Sequence, residues 1–357
     1  MGSGGVGGYF GALLARGGFD TTFIARGPHL QAMHQSGLRI EGPDEHFTVR
    51  VKSTDDPREI GPVDFVLFAV KLWDTETAAA ACRALIGQDT AVVSLQNGVS
   101  SELMLSSIVG CRHFMGGVAE ISARIVEPGC LERISERKLI QFAEMNRQQS
   151  ARAQSLHGAL IEAGIETELS EDINVTIWNK FVFLTGLSAM TALTGHPVGR
   201  LREDPDTREL LEQIMNEALR VAQASGVPIR DAEVAEHLQF IDGLPAQIRA
   251  SMAIDRAAGR QLELPGFRAP WCGRGPSSAY QRQQIASYAK HSSWTLWVFD
   301  TRGRLGPAMA HKRHAANCPL DHIRISGRGC DPTIYHRIGR IGNGSPPPRG
   351  GPFFSCQ

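Results

Sequence analysis

The sequence predicts an α/β protein in which a parallel sheet is followed by an all-helical part. Two apolar runs, 63–70 and 90–95, have the length and the β-branched and aromatic content of buried strands. Helical segments alternate with strands in this half of the chain, as the crossovers of a parallel sheet require. Beyond Glu171 the apolar spacing turns helical, so we place the first domain at 1–170 and a helical domain at 171–265.

The chain opens with a glycine-rich turn. Gly2, Gly4 and Gly7 have the spacing G-x-G-x-x-G, and apolar residues at helical spacing follow until Gly17. The first glycine allows a tight turn, the second a close approach by a pyrophosphate, and the third close packing of the helix on the sheet. This pattern predicts a Rossmann-like, dinucleotide-binding domain; the alternative is a disordered glycine-rich start. The candidate cofactor-binding positions are Gly2, Ser3, Gly4, Gly5, Val6 and Gly7.

The next strand candidate, 21–26, ends in Arg26. An acidic residue at this position would hold the ribose hydroxyl of NAD, whereas an arginine suits the 2′-phosphate of NADP. NADP is therefore the predicted cofactor. A Rossmann-like unit also needs an apolar strand before its first glycine, and only Met1 precedes Gly2. We expect this first strand to be missing, through a truncated sequence or a defective start of the fold.

Further elements follow in order. Short strands with a turn at 42–44 are predicted over 38–51, a helix over 75–85, strands over 114–142, a helix over 148–163 and a last strand over 165–169. The helical domain is predicted to contain helices over 173–194, 208–225 and 232–256. The Asp204-Pro205 pair is interpreted as a helix start.

Polar residues fall where the predicted strands end. Arg26, Lys71 and Asn97 each follow a strand, and ligands of open parallel sheets bind at the carboxyl ends of the strands. Taken singly, Lys71 could be an ordinary strand-end lysine and Asn97 a helix cap. Their common placement predicts a binding edge.

Lys180 is a single lysine among large apolar residues. It could be a lysine at a helix edge with its charge in water, or a partly desolvated acid that donates a proton. Desolvation would lower its pKa from about 10.4, and a nearby carboxylate would keep it charged. Ser251 and Glu263, in turn, could be an ordinary helix residue and an exposed charge.

Composition excludes several classes of protein. The longest apolar run, 65–70, is too short to cross a membrane, and no signal peptide is recognisable, so a cytoplasmic protein without membrane partners is expected. None of the seven cysteines has C-x-x-C spacing, which favours reduced thiols and no metal site. The net charge of zero hides an uneven distribution: the residues after Glu263 carry 13 of the 37 Lys+Arg and three of the 37 Asp+Glu.

The chain resembles the ketopantoate reductase (2-dehydropantoate 2-reductase) family. The matching stretches are 2–11, 24–27, 70–71, 95–98, 177–181, 193–205 and 251–263, in family order over residues 1 to about 265. The resemblance implies NADPH-dependent reduction of a small 2-keto acid, of the type used in pantothenate biosynthesis, in a site between the two domains. The resemblance also implies roles in cofactor binding. Gly2, Gly4 and Gly7 would contact the pyrophosphate, Arg26 the 2′-phosphate, and Lys71 would make a second cofactor contact near the adenosine phosphate.

In the active site, the resemblance places Asn97 near the nicotinamide and substrate and makes Lys180 the general acid. Ser251 would be a substrate-binding hydroxyl, and Glu263 would be the active-site carboxylate that holds Lys180 in position and protonated.

Three positions depart from the family pattern. Leu184, Ser188 and Ile248 stand where typical members carry asparagines that could bind the hydroxyl or carboxylate of ketopantoate. Hydride chemistry can survive these changes, but another 2-keto acid or small ketone becomes plausible as substrate. A non-catalytic NADP-binding protein is the alternative function. A nucleic-acid binder that uses the basic tail fits least, since no nucleic-acid-binding motif accompanies the charge, and a homodimer is compatible with the resemblance.

The segment 266–357 is predicted to be a basic tail of low order. It is rich in Arg, Gly, Pro and Ser, and its codons, shifted by one base near residue 265, permit a Gly-Ala-Val-Val-Arg continuation typical of the family. We hypothesise a frameshift there; the alternative is a genuine basic, disordered tail.

Overall fold

The computed structural model describes residues 1–263, 298–299 and 305–306. The chain divides into two compact units, Met1–Gln284 and Ile285–Gln357. In the second unit, Val298–Phe299 pairs antiparallel with Leu305–Gly306. The predictions for the tail otherwise lie outside the described residues, and the domain boundary at residue 170 stays a prediction.

The first unit begins with alternating helices and strands and continues with helices. Its strands are β1 Thr22–Ile24, β2 Leu38–Glu41, β3 His46–Val49, β4 Lys52–Thr54, β5 Val63–Phe68, β6 Ile86–Ser94, β7 Phe114–Glu120, β8 Ala123–Glu127, β9 Cys130–Arg133, β10 Leu139–Glu144 and β11 Glu166–Leu169. Its α-helices are α1 Gly5–Arg16, α2 Gly27–Ser36, α3 Thr75–Cys82, α4 Ser101–Val109, α5 Ala151–Glu162, α6 Ile173–Thr194, α7 Val198–Glu203, α8 Pro205–Ala224, α9 Glu233–Gly243 and α10 Ser251–Ala257.

The described residues of this unit form three sheets. The largest has the order β11-β10-β7-β6-β5, with β5, β6 and β7 parallel and β10 antiparallel to β7. A parallel β1–β4 pair and a four-stranded sheet of order β3-β2-β9-β8 complete the set. The predicted α/β class, with parallel strands followed by a helical part, is confirmed.

The opening residues lie between the ends of β1 and β5. The Met1 ammonium donates to Leu67 O at 2.9 Å, and Ala69 N donates to Met1 O at 2.9 Å. On the other side, Ser3 Oγ donates to Ile24 O at 2.9 Å. No strand of the described chain pairs with both β1 and β5. The glycine turn is therefore held at the carboxyl ends of these two strands.

The long helix α6 is positioned by caps and by packing on the sheet. Asp172 caps its start by accepting a hydrogen bond from Asn174 N at 3.1 Å, and Gly195 ends it with a φ of 69°. Ile177 and Phe181 share a buried cluster with Val118 of β7, so the first half of α6 packs on this strand. Lys180 is thereby brought to the edge of the sheet.

One helix prediction was wrong. The segment 232–256 is not continuous, because α9 ends at Gly243 and α10 begins at Ser251. The intervening residues hold the start of α7 instead: Ile248 O accepts from Val198 N at 2.8 Å, and Ala246 O accepts from Gly199 N at 2.9 Å. These bonds use carbonyl groups that a continuous helix would have needed for itself.

Candidate active site

Two of the three motif glycines in the turn are closely packed against backbone atoms, and the third has open space beside it. A Cβ on Gly7 would lie 2.2 Å from Gly2 O, and Gly2, at φ 90°, would place one 2.9 Å from Val70 N. Gly4, the residue before α1, has nothing within 4 Å of the same added atom. The turn thus requires glycine for packing at positions 2 and 7, and leaves room for a ligand at position 4.

Two cationic side chains stand near this turn. Arg26 follows β1 and is exposed, and its guanidinium makes no ion pair within the described part of the chain. Lys71 follows β5, and its Nζ lies 2.5 Å from Glu263 Oε2 and 3.7 Å from Asp255 Oδ2. The structure therefore places both predicted cofactor-binding cations at strand ends, one open and one paired.

Lys180 contacts Asn97, which the sequence analysis placed at the binding edge of the sheet. Its Nζ donates to Asn97 Oδ1 at 2.7 Å and to Ala119 O, at the end of β7, at 2.6 Å. Burial lowers the pKa of Lys180 to about 8, while the negative charges of Glu120 and Glu263 oppose that lowering. The partly desolvated lysine expected from the sequence is present, and its ammonium faces the loop after β6.

Glu263 binds a partner that the sequence did not indicate. Its carboxylate accepts from Lys71 Nζ and from Leu72 N, the latter at 3.2 Å, and its side chain is only 14% exposed. We expected Glu263 to hold Lys180 in position and protonated. The structure shows no direct bond between these two side chains, and Glu263 acts on Lys180 only through its charge, which raises the pKa of the lysine. The alternative of an exposed charge does not describe this carboxylate.

The remaining predicted residues border the same region. Ser251 is exposed at the start of α10, where Ala250 N donates to Thr191 Oγ1 of α6 at 3.3 Å. Leu184 is half-buried on α6 one turn after Lys180, whereas Ser188 is only 3% exposed. Ile248 packs against the apolar cluster between α6 and α8.

Two features escaped sequence analysis, one a contact of Lys180 and the other a buried carboxyl on α4. The Ala119 carbonyl is a backbone group, and no residue type announces that it will face a lysine. Glu102, at the start of α4, carries a buried Oε2 without a hydrogen-bond partner in the described chain, and burial raises its pKa to about 7. Its burial comes from tertiary packing, although its place five residues after Asn97 could have drawn attention to it.

A glycine turn at strand ends and a half-buried lysine on a helix of the following helical part are together typical of a dinucleotide-dependent oxidoreductase. Comparison with known proteins agrees. Residues 1–147 match the family model "Ketopantoate reductase PanE/ApbA", and residues 172–275 match "Ketopantoate reductase PanE/ApbA C terminal". The chain belongs to the ketopantoate reductase family.

Individual relatives support this assignment. The chain is 30% identical to the 2-dehydropantoate 2-reductase of Archaeoglobus fulgidus over 265 residues, which is 74% of this chain and 85% of that one. It is 30% identical over 270 residues to the enzyme of Halobacterium salinarum, covering 74% and 87%. The crystal structure of 2-dehydropantoate 2-reductase from Geobacter metallireducens GS-15 superposes with a TM-score of 0.71 at 30% identity, covering 81% and 92%. Within the described residues, no helix has the length and apolar character needed to cross a bilayer.

Proposed function

We propose that the chain catalyses the NADPH-dependent reduction of 2-dehydropantoate (ketopantoate), or of a related small 2-keto acid, to the 2-hydroxy acid. The observation that carries the proposal is the half-buried Lys180, whose ammonium is held by Asn97 and Ala119 O. An ammonium has three N–H donors, and these two acceptors use two of them. The third is available to a substrate oxygen.

The residues around the glycine turn fit NADP. Open space at Gly4 suits a pyrophosphate, and the start of α1 supplies backbone N–H groups and a favourable dipole. The exposed Arg26 would bind the 2′-phosphate, and Lys71 would make a second cofactor contact near the adenosine phosphate. When bound, the reduced nicotinamide supplies the hydride.

Lys180 acts on the ketone oxygen. As the carbonyl carbon is reduced, negative charge develops on this oxygen, and the ammonium stabilises that charge and then transfers a proton to it. The lowered pKa suits this task, because an acid with a pKa of about 8 is charged at neutral pH and still gives up its proton readily. Asn97 Oδ1 fixes the direction of the ammonium, which positions the oxygen relative to the cofactor.

The remaining residues orient the reactants. Asn97 and Ser251 would bind the substrate, the first at the end of β6 and the second at the start of α10. Glu263 would keep Lys180 protonated through its charge and would hold Lys71 in place. We also propose a cytoplasmic location, since the three cysteines of the described residues are free thiols.

The test is the oxidation of NADPH with a panel of 2-keto acids. We expect turnover in the wild type and a loss of about 100-fold or more in kcat for Lys180→Ala, since a positioned acid contributes roughly 10²–10⁴. Lys52→Ala, which removes an exposed lysine paired with Asp20, is the matched control and should retain full activity. NADPH binding without turnover would favour the alternative, a non-catalytic NADP-binding member of the family.

The same assay with NADH addresses the cofactor. The wild type should prefer NADPH, and Arg26→Ala should lower that preference by about tenfold or more, because a charge-assisted contact to phosphate is worth about 1.5–3 kcal/mol. An unchanged preference would assign the 2′-phosphate to another residue.

A further inference from the structure

Leu184 lies on the face of α6 that carries Lys180. Residues four apart in a helix share a face, and their side chains lean toward the helix N-terminus, so the Leu184 side chain leans toward Lys180. Thr191, about three turns beyond Lys180, lies on nearly the same face and binds the start of α10 through Ala250 N. The stretch that contains Leu184 therefore runs from the sheet edge at Lys180 toward α10.

Leu184 is not part of the packed core. Its neighbours Phe181, Val182 and Leu187 are at most 5% exposed and belong to the apolar cluster between α6 and α8. Leu184 remains half-buried and belongs to none of the apolar clusters that the described residues form. On the proposed function, an apolar side chain that is left partly open one helical turn from Lys180 would border the space that a reacting ketone occupies.

Neither of two further positions offers the substrate an exposed polar group. Ser188, the next residue along this side of α6, is 3% exposed, and Ile248 packs against the core cluster. Lys180 and Asn97 are bonded to each other and are committed to the reacting end of the substrate. A substrate hydroxyl that packs against Leu184 would find no hydrogen-bond partner in that side chain and would lose a hydrogen bond to water.

We infer that the preferred substrate is a 2-keto acid whose arm, the group attached to the ketone on the side away from the carboxylate, is apolar. Leu184 is the residue that selects for this apolar arm. The inference rests on the proposed function, because it assumes that the ketone is reduced at Lys180. Packing of a branched aliphatic arm against Leu184 removes apolar surface from water at no polar cost. Leu184 acts in recognition and takes no part in proton transfer.

Two substrates of the same skeleton test the inference. Ketopantoate and trimethylpyruvate differ only in the hydroxyl on the arm, which the second lacks. A site that hydrogen-bonds a substrate hydroxyl rejects the analogue without it by about 10⁴–10⁵, whereas an apolar site disfavours the added hydroxyl by up to about 10². We expect kcat/KM of the wild type to be higher for trimethylpyruvate, by about 10- to 100-fold.

Two variants locate the effect. Leu184→Asn should lower the ratio of kcat/KM for trimethylpyruvate to that for ketopantoate by about tenfold or more, since an amide can bind the hydroxyl. Ala189→Asn places the same residue on the opposite side of α6, where Ala189 is also half-buried, and should leave the ratio unchanged. The ratio is internal to each protein, so a partial loss of folded enzyme does not alter it.

The outcomes separate this inference from the function on which it rests. If the wild type turns over both substrates with a clear preference for ketopantoate, the inferred preference for an apolar substrate is wrong, but the proposed reductase function stands. Equal shifts of the ratio in Leu184→Asn and Ala189→Asn overturn the assignment to Leu184. Absence of turnover with every 2-keto acid of the panel overturns both proposals.

Discussion

Lys180 shows how one side chain can be buried and still carry a charge. Desolvation favours the neutral amine, and its pKa falls to about 8. Two oxygen acceptors, at 2.6 and 2.7 Å, and two carboxylates nearby keep the protonated form accessible at neutral pH. The balance between these effects gives the lysine a pKa that suits the acid role proposed for it.

The pH dependence of the reaction should report this pKa. The protonated lysine is the active form in ketone reduction, so kcat/KM for the keto acid should be constant below pH of about 8 and should fall about tenfold per pH unit above it. Oxidation of the hydroxy acid requires the neutral amine and should show the opposite trend. Steady-state rates in both directions measure this. A reduction profile that stays flat to pH 10 (roughly the ordinary pKa of lysine) would contradict the assignment.

At the scale of the residue, the sequence indicated the unusual side chains but few of their partners. A single lysine in an apolar stretch and an asparagine after a buried strand could both be recognised. The bond between them joins residues 83 positions apart, and Glu263 reaches Lys71 across 192 positions. Such contacts follow from the packing of α6 and α10, which no local pattern specifies.

At the scale of the element, the glycines of the opening turn differ in how closely they are packed. Gly7 is required for packing, because a Cβ there would lie 2.2 Å from Gly2 O, whereas Gly4 has open space and a negative φ of −75°. The same motif therefore contains two glycines that the packing requires, Gly2 and Gly7, and one, Gly4, with the open space that the proposed cofactor needs.

Alanine at these two positions should have different effects. Gly4→Ala should leave the melting temperature nearly unchanged, since surface substitutions usually stay within about 0.5 kcal/mol, but should raise the KM for NADPH about tenfold by crowding the pyrophosphate. Gly7→Ala should destabilise the fold by more than about 1 kcal/mol, because backbone atoms must move. Thermal unfolding and NADPH titration measure both effects. A Gly4→Ala protein that binds NADPH normally would exclude the turn from the cofactor site.

Elements with strong local signals were predicted best. The bounds of α6 agree with the prediction, because Asp172 and Gly195 provide a cap at each end. Asp204 likewise starts α8 by accepting from Thr207 N at 2.8 Å. The break after Gly243 was missed because the helical apolar spacing continues through it, and only contacts with α7 show why the chain leaves the helix.

At the scale of the whole molecule, charges from segments far apart in the sequence affect the pKa of Lys180. Lys180 comes from α6, Glu120 from the end of β7 and Glu263 from the segment after α10. Both carboxylates raise the pKa of Lys180, with Glu120 the stronger of the two, and burial lowers it. The fold thus sets the strength of the acid by the relative placement of the sheet and the helical part.

Removal of either carboxylate should therefore move the pH profile in a defined direction. A negative charge stabilises the protonated lysine, so Glu263→Gln and Glu120→Gln should each shift the falling limb of kcat/KM to lower pH. The shift should be larger for Glu120→Gln, since its charge has the greater effect and its loss also frees Arg137, which it binds at 2.6 Å. Glu132→Gln, which removes a carboxylate paired with Arg124, is the control and should not move the limb.

A purely structural role for Glu263 would give a different result. Loss of its bonds to Lys71 and Leu72 would lower the amount of active protein or weaken NADPH binding, and the limb would stay at its wild-type pH. Glu263→Asp preserves the charge and should keep the limb within a few tenths of a pH unit of the wild type, even if the shorter side chain weakens the contact with Lys71. A shift that appears in the glutamine variant and disappears in the aspartate variant thus identifies the charge of Glu263, through its effect on the pKa of Lys180, as the property that matters for the reaction.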